Sequence, residues 1–225
     1  MNKVIALLPM KGHSERISNK NIKDFDGQPL FYRILDTLAK TKSVKSIYID
    51  TDSDEIARLA IERFDVNIIK RPDELIGDCV SMNEIIKFDL SQINGEHIIQ
   101  THSTNPLLKV NTIDKAVETY FEKLKVHDSI FSVTRLQVRL YDQFMKPMNH
   151  DPGVLIRTQD LPPVYEENSN FYIFSKQSFY KKNQRVGEKP MFYEVGKNEA
   201  IDIDEEIDFE IALCLYKSIY QKNQQ

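Results

Sequence analysis

The chain has 225 residues, 41% hydrophobic and 28% charged, with a formal net charge of -4. This balance fits one globular α/β domain with a sizeable core and gives no sign of a nucleic-acid binder, so basic residues must be concentrated locally if the protein holds a polyanion. No apolar run approaches the roughly 18–20 residues of a membrane span. Cys79 and Cys214 are far apart and lack metal-ligand spacing, so they read as buried or incidental thiols in a reducing compartment.

MNKVIALLPMKG places one basic residue ahead of a short apolar run. The run is too short for a secretory leader and reads as a first buried strand, Val4 to Leu8, ending at Pro9. The chain is accordingly expected to be cytoplasmic. A polar loop, KGHSERISNKN, follows. Leu30, Ile34, Leu35 and Leu38 form a helical stripe within Pro29 to Ala39. SIYID (Ser46 to Asp50) is a second strand, closed by the turn TDSDE. Helix at Glu55 to Phe64, strand at Val66 to Ile69, helix at Glu84 to Leu90 and strand at His97 to Gln100 come next. Asn111 to Leu124 then reads as helix and Ser129 to Val133 as strand. This alternation predicts a doubly wound, mainly parallel α/β sheet, with right-handed crossovers that gather the ligand-binding loops along one edge.

From Thr134 to about Ser169 the rhythm breaks, with Pro147, Pro152, Pro162, Pro163 and Gly153 in the segment. A stretch this long without regular structure is functional, or an added hairpin or arm. Asn170 to Ser175 resumes as strand. The last helix runs from about Glu205 to Tyr220, with Ile207, Ile211, Cys214 and Leu215 on one face, and the tail KNQQ is expected to fray.

The first loop concentrates Lys11, Gly12, Ser14, Arg16, Lys20 and Asn21. At the carboxyl end of a first strand, Gly12 allows close backbone approach and backbone N–H groups can face an anion. Three cations offset a triphosphate. On composition alone, a solvated charged loop is an equal reading. The Walker A pattern is absent.

PMKGHSERISNKNI resembles the PARGGSKRIPxKNI signature of the CMP-sialic acid synthetase (acylneuraminate cytidylyltransferase) family. Five further stretches resemble family motifs in the same order: DTDSDEIA, RPDELIGD (Arg71 to Asp78), HSTNPLL (His102 to Leu108), YEENSNFYIFS and IDIDEEID. The resemblance implies a Rossmann-like nucleotide-diphospho-sugar transferase fold and a homodimer held by an arm at 134–169. It also implies transfer of CMP from CTP to an acidic 2-keto sugar, releasing pyrophosphate. In the family the first loop binds the triphosphate and ribose, here Lys11, Gly12, Ser14, Arg16, Lys20 and Asn21. Arg71 matches an arginine on the base side of the pocket, with a surface pair to Asp73 or Glu74 as the plain alternative. Ser81 resembles a serine near the nucleotide, and it also suits a helix N-cap. Lys11 replaces an arginine, Glu15 replaces a lysine, and Glu166 falls near a second arginine of some members.

In IDIDEE, a strand would set Asp202 and Asp204 on one side and Ile201 and Ile203 on the other. Two carboxylates on one face need a cation between them, and Mg²⁺ commonly takes one or two carboxylates plus phosphate oxygens. Taken alone, the pattern also allows Asp204 to be simply the N-cap of the next helix. The resemblance makes Asp202 and Asp204 the Mg²⁺ ligands and, with Lys20, the catalytic set. On the sugar side, His102 stands where the family usually has glutamine, and Gln100 lies two residues earlier on the same strand face. Arg157 resembles the arginine that meets the sugar carboxylate, Tyr172 falls in the YEENSNFYIFS match, and Phe192 and Tyr193 resemble an aromatic pair lining the pocket. His102 and a metal-bound hydroxide are the candidate general bases. The relative that activates ketodeoxyoctulosonate has an acid in its QGDEP loop; THSTNP has none, which argues against that subclass. Two alternatives remain at this level: a nucleotidyltransferase of the same fold acting on another sugar or a polyol phosphate, and a non-catalytic nucleotide-binding homologue.

Overall fold

The first apolar run forms strand β1 (Val4–Met10), buried along its whole length, as a strand covered on both faces must be. The computed structural model describes residues 2–77 and 79–221. Asp78, the last residue of RPDELIGD, and the tail 222–225 lie outside the described residues. The strand does not stop at Pro9. Pairing with the neighbour on one side ends at Leu7, while pairing on the other continues through Pro9 to Met10. The missing N–H of Pro9 therefore falls beyond the pairing with one neighbour, where proline is tolerated.

After β1 come α1 (Tyr32–Lys40), β2 (Val44–Thr51), α2 (Asp54–Arg63), β3 (Asn67–Lys70), α3 (Met82–Gln92), β4 (His97–Thr101) and α4 (Val110–Lys123). Then follow β5 (Ser129–Leu136), β6 (Val164–Ser175), α5 (Lys176–Lys182), β7 (Pro190–Glu194) and α6 (Glu206–Gln221). The sheet order is β3-β2-β1-β4-β6-β5-β7. β6 runs antiparallel to both neighbours; the other pairs are parallel. This is the doubly wound, mainly parallel architecture expected. Sequence reading gave no element between Ser175 and Ile201, where α5 and β7 lie.

Alternate residues of β1 serve opposite layers. Val4, Ala6 and Leu8 pack with α1, α2 and α4; Ile5 and Leu7 pack with α3 and α5. From β1 the chain winds outward to β2 and β3, then crosses back to β4 on the other side. The loops after β1 and β4 diverge there and open a crevice, the usual ligand position of such sheets.

The irregular segment is shorter than expected. β5 continues to Leu136, pairing Val133 with Glu167 and Leu136 with Val164, so the two ends of 134–169 belong to the sheet. What remains, 137–163, is an arm with one isolated bridge, Tyr141 to Pro147. Phe144, Met145 and Leu155 are 77%, 84% and 91% exposed on it.

Two other expectations change. Cys79 and Cys214 are exposed, not buried. On α6, Phe209 and Ala212 are buried, with Leu213 and Tyr216 packed behind them. Ile207 and Ile211 of the expected stripe are 56% and 46% exposed, and Cys214 is exposed with them. α6 is apolar on several sides, so its periodicity alone did not select the inward face.

Candidate functional site

A small third core builds the site. Ile17 from the first loop, Phe25 and Leu30 beyond it, and Ile203, Phe209 and Ala212 near α6 are buried against one another. Ile17 lies between Arg16 and Lys20 in the chain, and Ile203 lies between Asp202 and Asp204. Burying these two side chains brings the cationic loop and the acidic pair together. Residues 201–204 are not a sheet strand. The Ile203 N–H donates to the Thr104 carbonyl at 2.9 Å, and the Asn105 side chain donates to the Ile201 carbonyl at 3.3 Å.

Within this frame a pocket of about 230 Å³ is lined by Lys11, Ser14, Glu15, Arg16, Lys20, Asn21, His102 and Thr104. Lys20 Nζ donates to the Ile203 carbonyl at 2.6 Å. Desolvation lowers its pKa, opposed by Asp204 and Asp202. Arg16 meets Asp204 at 2.7 Å. Desolvation raises the pKa of Asp202, against a hydrogen bond from Thr104, and its buried Oδ1 has no partner among the described residues. Asp204 is not the helix cap: the Asp204 and Glu205 N–H groups donate to Asp208 Oδ2 at 3.1 and 2.8 Å. Its carboxylate is thereby left for Arg16.

The loop's backbone is used differently from the anion cradle expected. The Gly12 N–H donates to Asp52 Oδ1 at 2.6 Å, and a Cβ there would lie 2.9 Å from Ser53 Cβ. The glycine serves close approach to the turn after β2. Asn21 links the two loops of the crevice, donating to the Lys11 carbonyl at 2.8 Å and accepting from Ser103 Oγ at 2.6 Å. Glu15 is exposed on the pocket rim.

Arg71 pairs with neither Asp73 nor Glu74. It is buried, and its Nε and a terminal nitrogen both donate to Asp50 Oδ2, at 2.9 and 2.6 Å. Beside this pair the buried Asp89 has no partner on either oxygen among the described residues. Burial first, then the charge of Asp50, push its pKa up to about 8. Ser81 caps α3, accepting from the Glu84 N–H at 3.3 Å.

On the side expected to meet the sugar, strand register sets Gln100, Tyr172, Phe131 and Phe192 in one row across β4, β6, β5 and β7. Phe192 and Tyr193 are adjacent on β7 and so point to opposite faces. Phe192 packs at 5.1 Å from Phe131 and 5.3 Å from Tyr165, whereas Tyr193 joins the α1/α4 core. They are not a pair lining one pocket. Arg157 is not brought to this row either; it is exposed on the arm and pairs with Asp160 at 2.7 Å.

Arg185 is there instead, and sequence reading missed it. Its guanidinium lies 3.8 Å from the Tyr172 ring centroid and donates to Gln100 Oε1 at 2.7 Å. It also stands 3.4 Å from His102 Nε2. Tyr172 donates to Glu167. His102 opens partly to the pocket, yet desolvation, then Arg185 and Lys20, push its pKa down to about 3. The ring is neutral at pH 7. Gln100, 2.9 Å away, occupies Nε2, which weakens His102 as a general base.

Comparison with known proteins follows the same lines. A cytidylyltransferase family model matches residues 5–224. The chain is 29% identical to N-acylneuraminate cytidylyltransferase A of Danio rerio, over 93% of this chain and 50% of that protein. It is 26% identical to the Escherichia coli N-acylneuraminate cytidylyltransferase, over 99% and 54%. The chain thus spans about half the length of these curated relatives. A solved CMP:2-keto-3-deoxy-manno-octonic acid synthetase complexed with CTP shares the fold. Its TM-score is 0.72 at 10% identity, covering 97% of this chain and all of that one. With a match across almost its whole length, this chain belongs to the cytidylyltransferase family.

Proposed function

We propose that this chain transfers CMP from CTP to the anomeric hydroxyl of an acidic 2-keto sugar of the sialic-acid type, releasing pyrophosphate. The observation that carries this reading is the meeting of the pocket-lining cationic loop with the acidic pair beside it, Arg16 on Asp204 and Lys20 on the Ile203 carbonyl between Asp202 and Asp204. Lys11, Arg16 and Lys20 neutralise the triphosphate, and Ser14 and Asn21 shape the floor beneath it. Neutralisation and positioning supply most of the rate in transfers of this kind. Arg71, held by Asp50, fixes the base side of the crevice, and Ser81 fixes the start of α3 beside it.

Asp202 and Asp204 suit Mg²⁺. The donors are carboxylate oxygens two residues apart, and one buried oxygen of Asp202 lacks a partner among the described residues. When bound, Mg²⁺ supplies charge stabilisation at phosphate oxygens. Gln100, His102 and Tyr172 form the wall toward the acceptor. The arm 137–163, with its exposed Phe144, Met145 and Leu155, supports a homodimer, the commonest closed oligomer. No helix among the described residues is long and apolar enough to cross a membrane, which is compatible with a cytoplasmic enzyme.

The test is calorimetric titration of CTP with and without Mg²⁺, followed by pyrophosphate release with neuraminic, legionaminic and pseudaminic acids as acceptors. Mg²⁺-dependent release with at least one acid is expected. Release only with a polyol phosphate would refute the acceptor class. CTP binding without turnover on any acceptor would leave a nucleotide-binding homologue.

A further inference from the structure

Arg185 carries a charge that its surroundings do not neutralise. Among the described residues no carboxylate lies within ion-pair distance of it, and its contacts are the Tyr172 ring, Gln100 and His102. The carboxylate of Glu167, whose field reaches it, already accepts the Tyr172 hydroxyl. Holding a largely desolvated cation without a counter-charge is costly. The surrounding structure nevertheless fixes it firmly. Asn183 ends α5 in the left-handed conformation, φ 53°. Val186 packs into the α3/α5 core. The Gly187 N–H donates to Ser129 Oγ at 2.8 Å, and Asp128 takes the next two N–H groups at 2.8 and 3.1 Å.

Hydrogen-bond chemistry then orders the row. A guanidinium has only donors, so Gln100 must turn Oε1 toward Arg185. Its amide nitrogen therefore faces His102, 2.9 Å away, and His102 Nε2 must accept. The ring proton is left on Nδ1, which takes no partner among the described residues. His102 also lines the pocket that holds Lys20 and Arg16.

We propose that Arg185 is the specificity-determining cation of the acceptor site: it receives the sugar's carboxylate and, through Gln100, holds His102 as an Nδ1–H donor toward the same substrate. This rests on the acidic-sugar reading above. It gives the carboxylate role to Arg185 on the sheet, where the resemblance had given it to Arg157 on the arm. Tyr172 beneath the guanidinium excludes water from one face, and planar guanidinium suits bidentate capture of a carboxylate.

The experiment measures pyrophosphate release at saturating CTP and Mg²⁺ with N-acetylneuraminate, legionaminate and pseudaminate, and with the methyl ester of the best acid. The proteins are the wild type, Arg185→Gln and Arg185→Lys. Losing a charge-assisted carboxylate contact should lower kcat/KM for the acid about 10- to 100-fold in Arg185→Gln, with the KM for CTP within about twofold. Arg185→Lys should fall between. The wild type should prefer acid to ester by a similar factor, and that preference should collapse in Arg185→Gln. In ¹⁵N spectra the wild-type His102 should carry its proton on Nδ1. Arg185→Gln should show a mixture of tautomers, because its amide allows Gln100 to flip.

Wild-type indifference between acid and ester overturns the proposal without any variant, as does an Arg185→Gln enzyme that keeps the wild-type preference. A His102 proton on Nε2 in the wild type overturns the relay. No release with any acid, despite CTP binding, would instead refute the acidic-sugar reading and this inference with it.

Discussion

Replacing Asp89 with asparagine should stabilise the protein, and by more as the pH rises. Asp89 lies in α3 with both oxygens buried and without a partner among the described residues, beside the Asp50–Arg71 pair. Burial, reinforced by Asp50, lifts its pKa from the ordinary 3.8 to about 8. Between those values the folded protein holds a proton that the unfolded chain has released. Stability therefore falls with rising pH across that window, at about 1.4 kcal/mol per unit. From pH 4 to pH 7 this one group costs roughly 4 kcal/mol. The amide side chain would keep the shape and cannot ionise. His102, whose pKa is lowered to about 3, acts with the opposite sign between there and its ordinary 6.5, but its contribution is common to both proteins. The assay is urea unfolding of wild type and Asp89→Asn at pH 5, 6, 7 and 8. The gap in free energy should widen steadily in favour of the variant. Parallel pH curves would show that Asp89 is ionised in the folded state and would refute the reasoning.

Asp202→Asn and Asp204→Asn should each reduce pyrophosphate release at least about 100-fold, the loss of a metal's charge stabilisation. Circular dichroism should be unchanged, and wild-type rates and Mg²⁺ dependence would sink the metal assignment. Gly187→Ala should lower stability by about 1–3 kcal/mol in urea unfolding, the usual range for overpacking, because its Cβ would lie 2.2 Å from Asp128 Oδ1. It should also weaken acid over ester discrimination by shifting Arg185. Light scattering at micromolar concentration should find a dimer for the wild type and a monomer for Leu155→Asp; a monomeric wild type would remove the arm's proposed role.

Much of the fold was legible because the strands of the first half are short apolar runs separated by clear helical stripes. β1 and the cationic loop behind it pointed at once to the proposed nucleotide side of the crevice. The second half was harder for physical reasons. β7 alternates half-buried and exposed residues over only five positions, and α6 is apolar on more than one side. The missed site residues depend on contacts that no local pattern carries. Asp50 closes a strand before a polar turn and looks like part of that turn, yet it holds Arg71 across the β2–β3 edge. Asp89 resembles any polar residue of a helix. Arg185 sits in NQRVGEK, a segment with no periodicity, and its position comes from Gly187 and Asp128. Phe192 and Tyr193 show the opposite error, since motif resemblance joined two neighbours that strand geometry sends to opposite faces.

The small core of Ile17, Phe25, Leu30, Ile203, Phe209 and Ala212 has a consequence for synthesis. Its members come from two stretches, 17–30 and 203–212, separated by almost the whole chain. During translation the sheet can pair from β1 to β7 while the cationic loop still lacks its partner. Contacts this distant in sequence form late. The pocket is thus completed only once the helix after Asp204 has emerged and docked, so a ribosome-bound chain with a finished sheet would not yet have its proposed phosphate site.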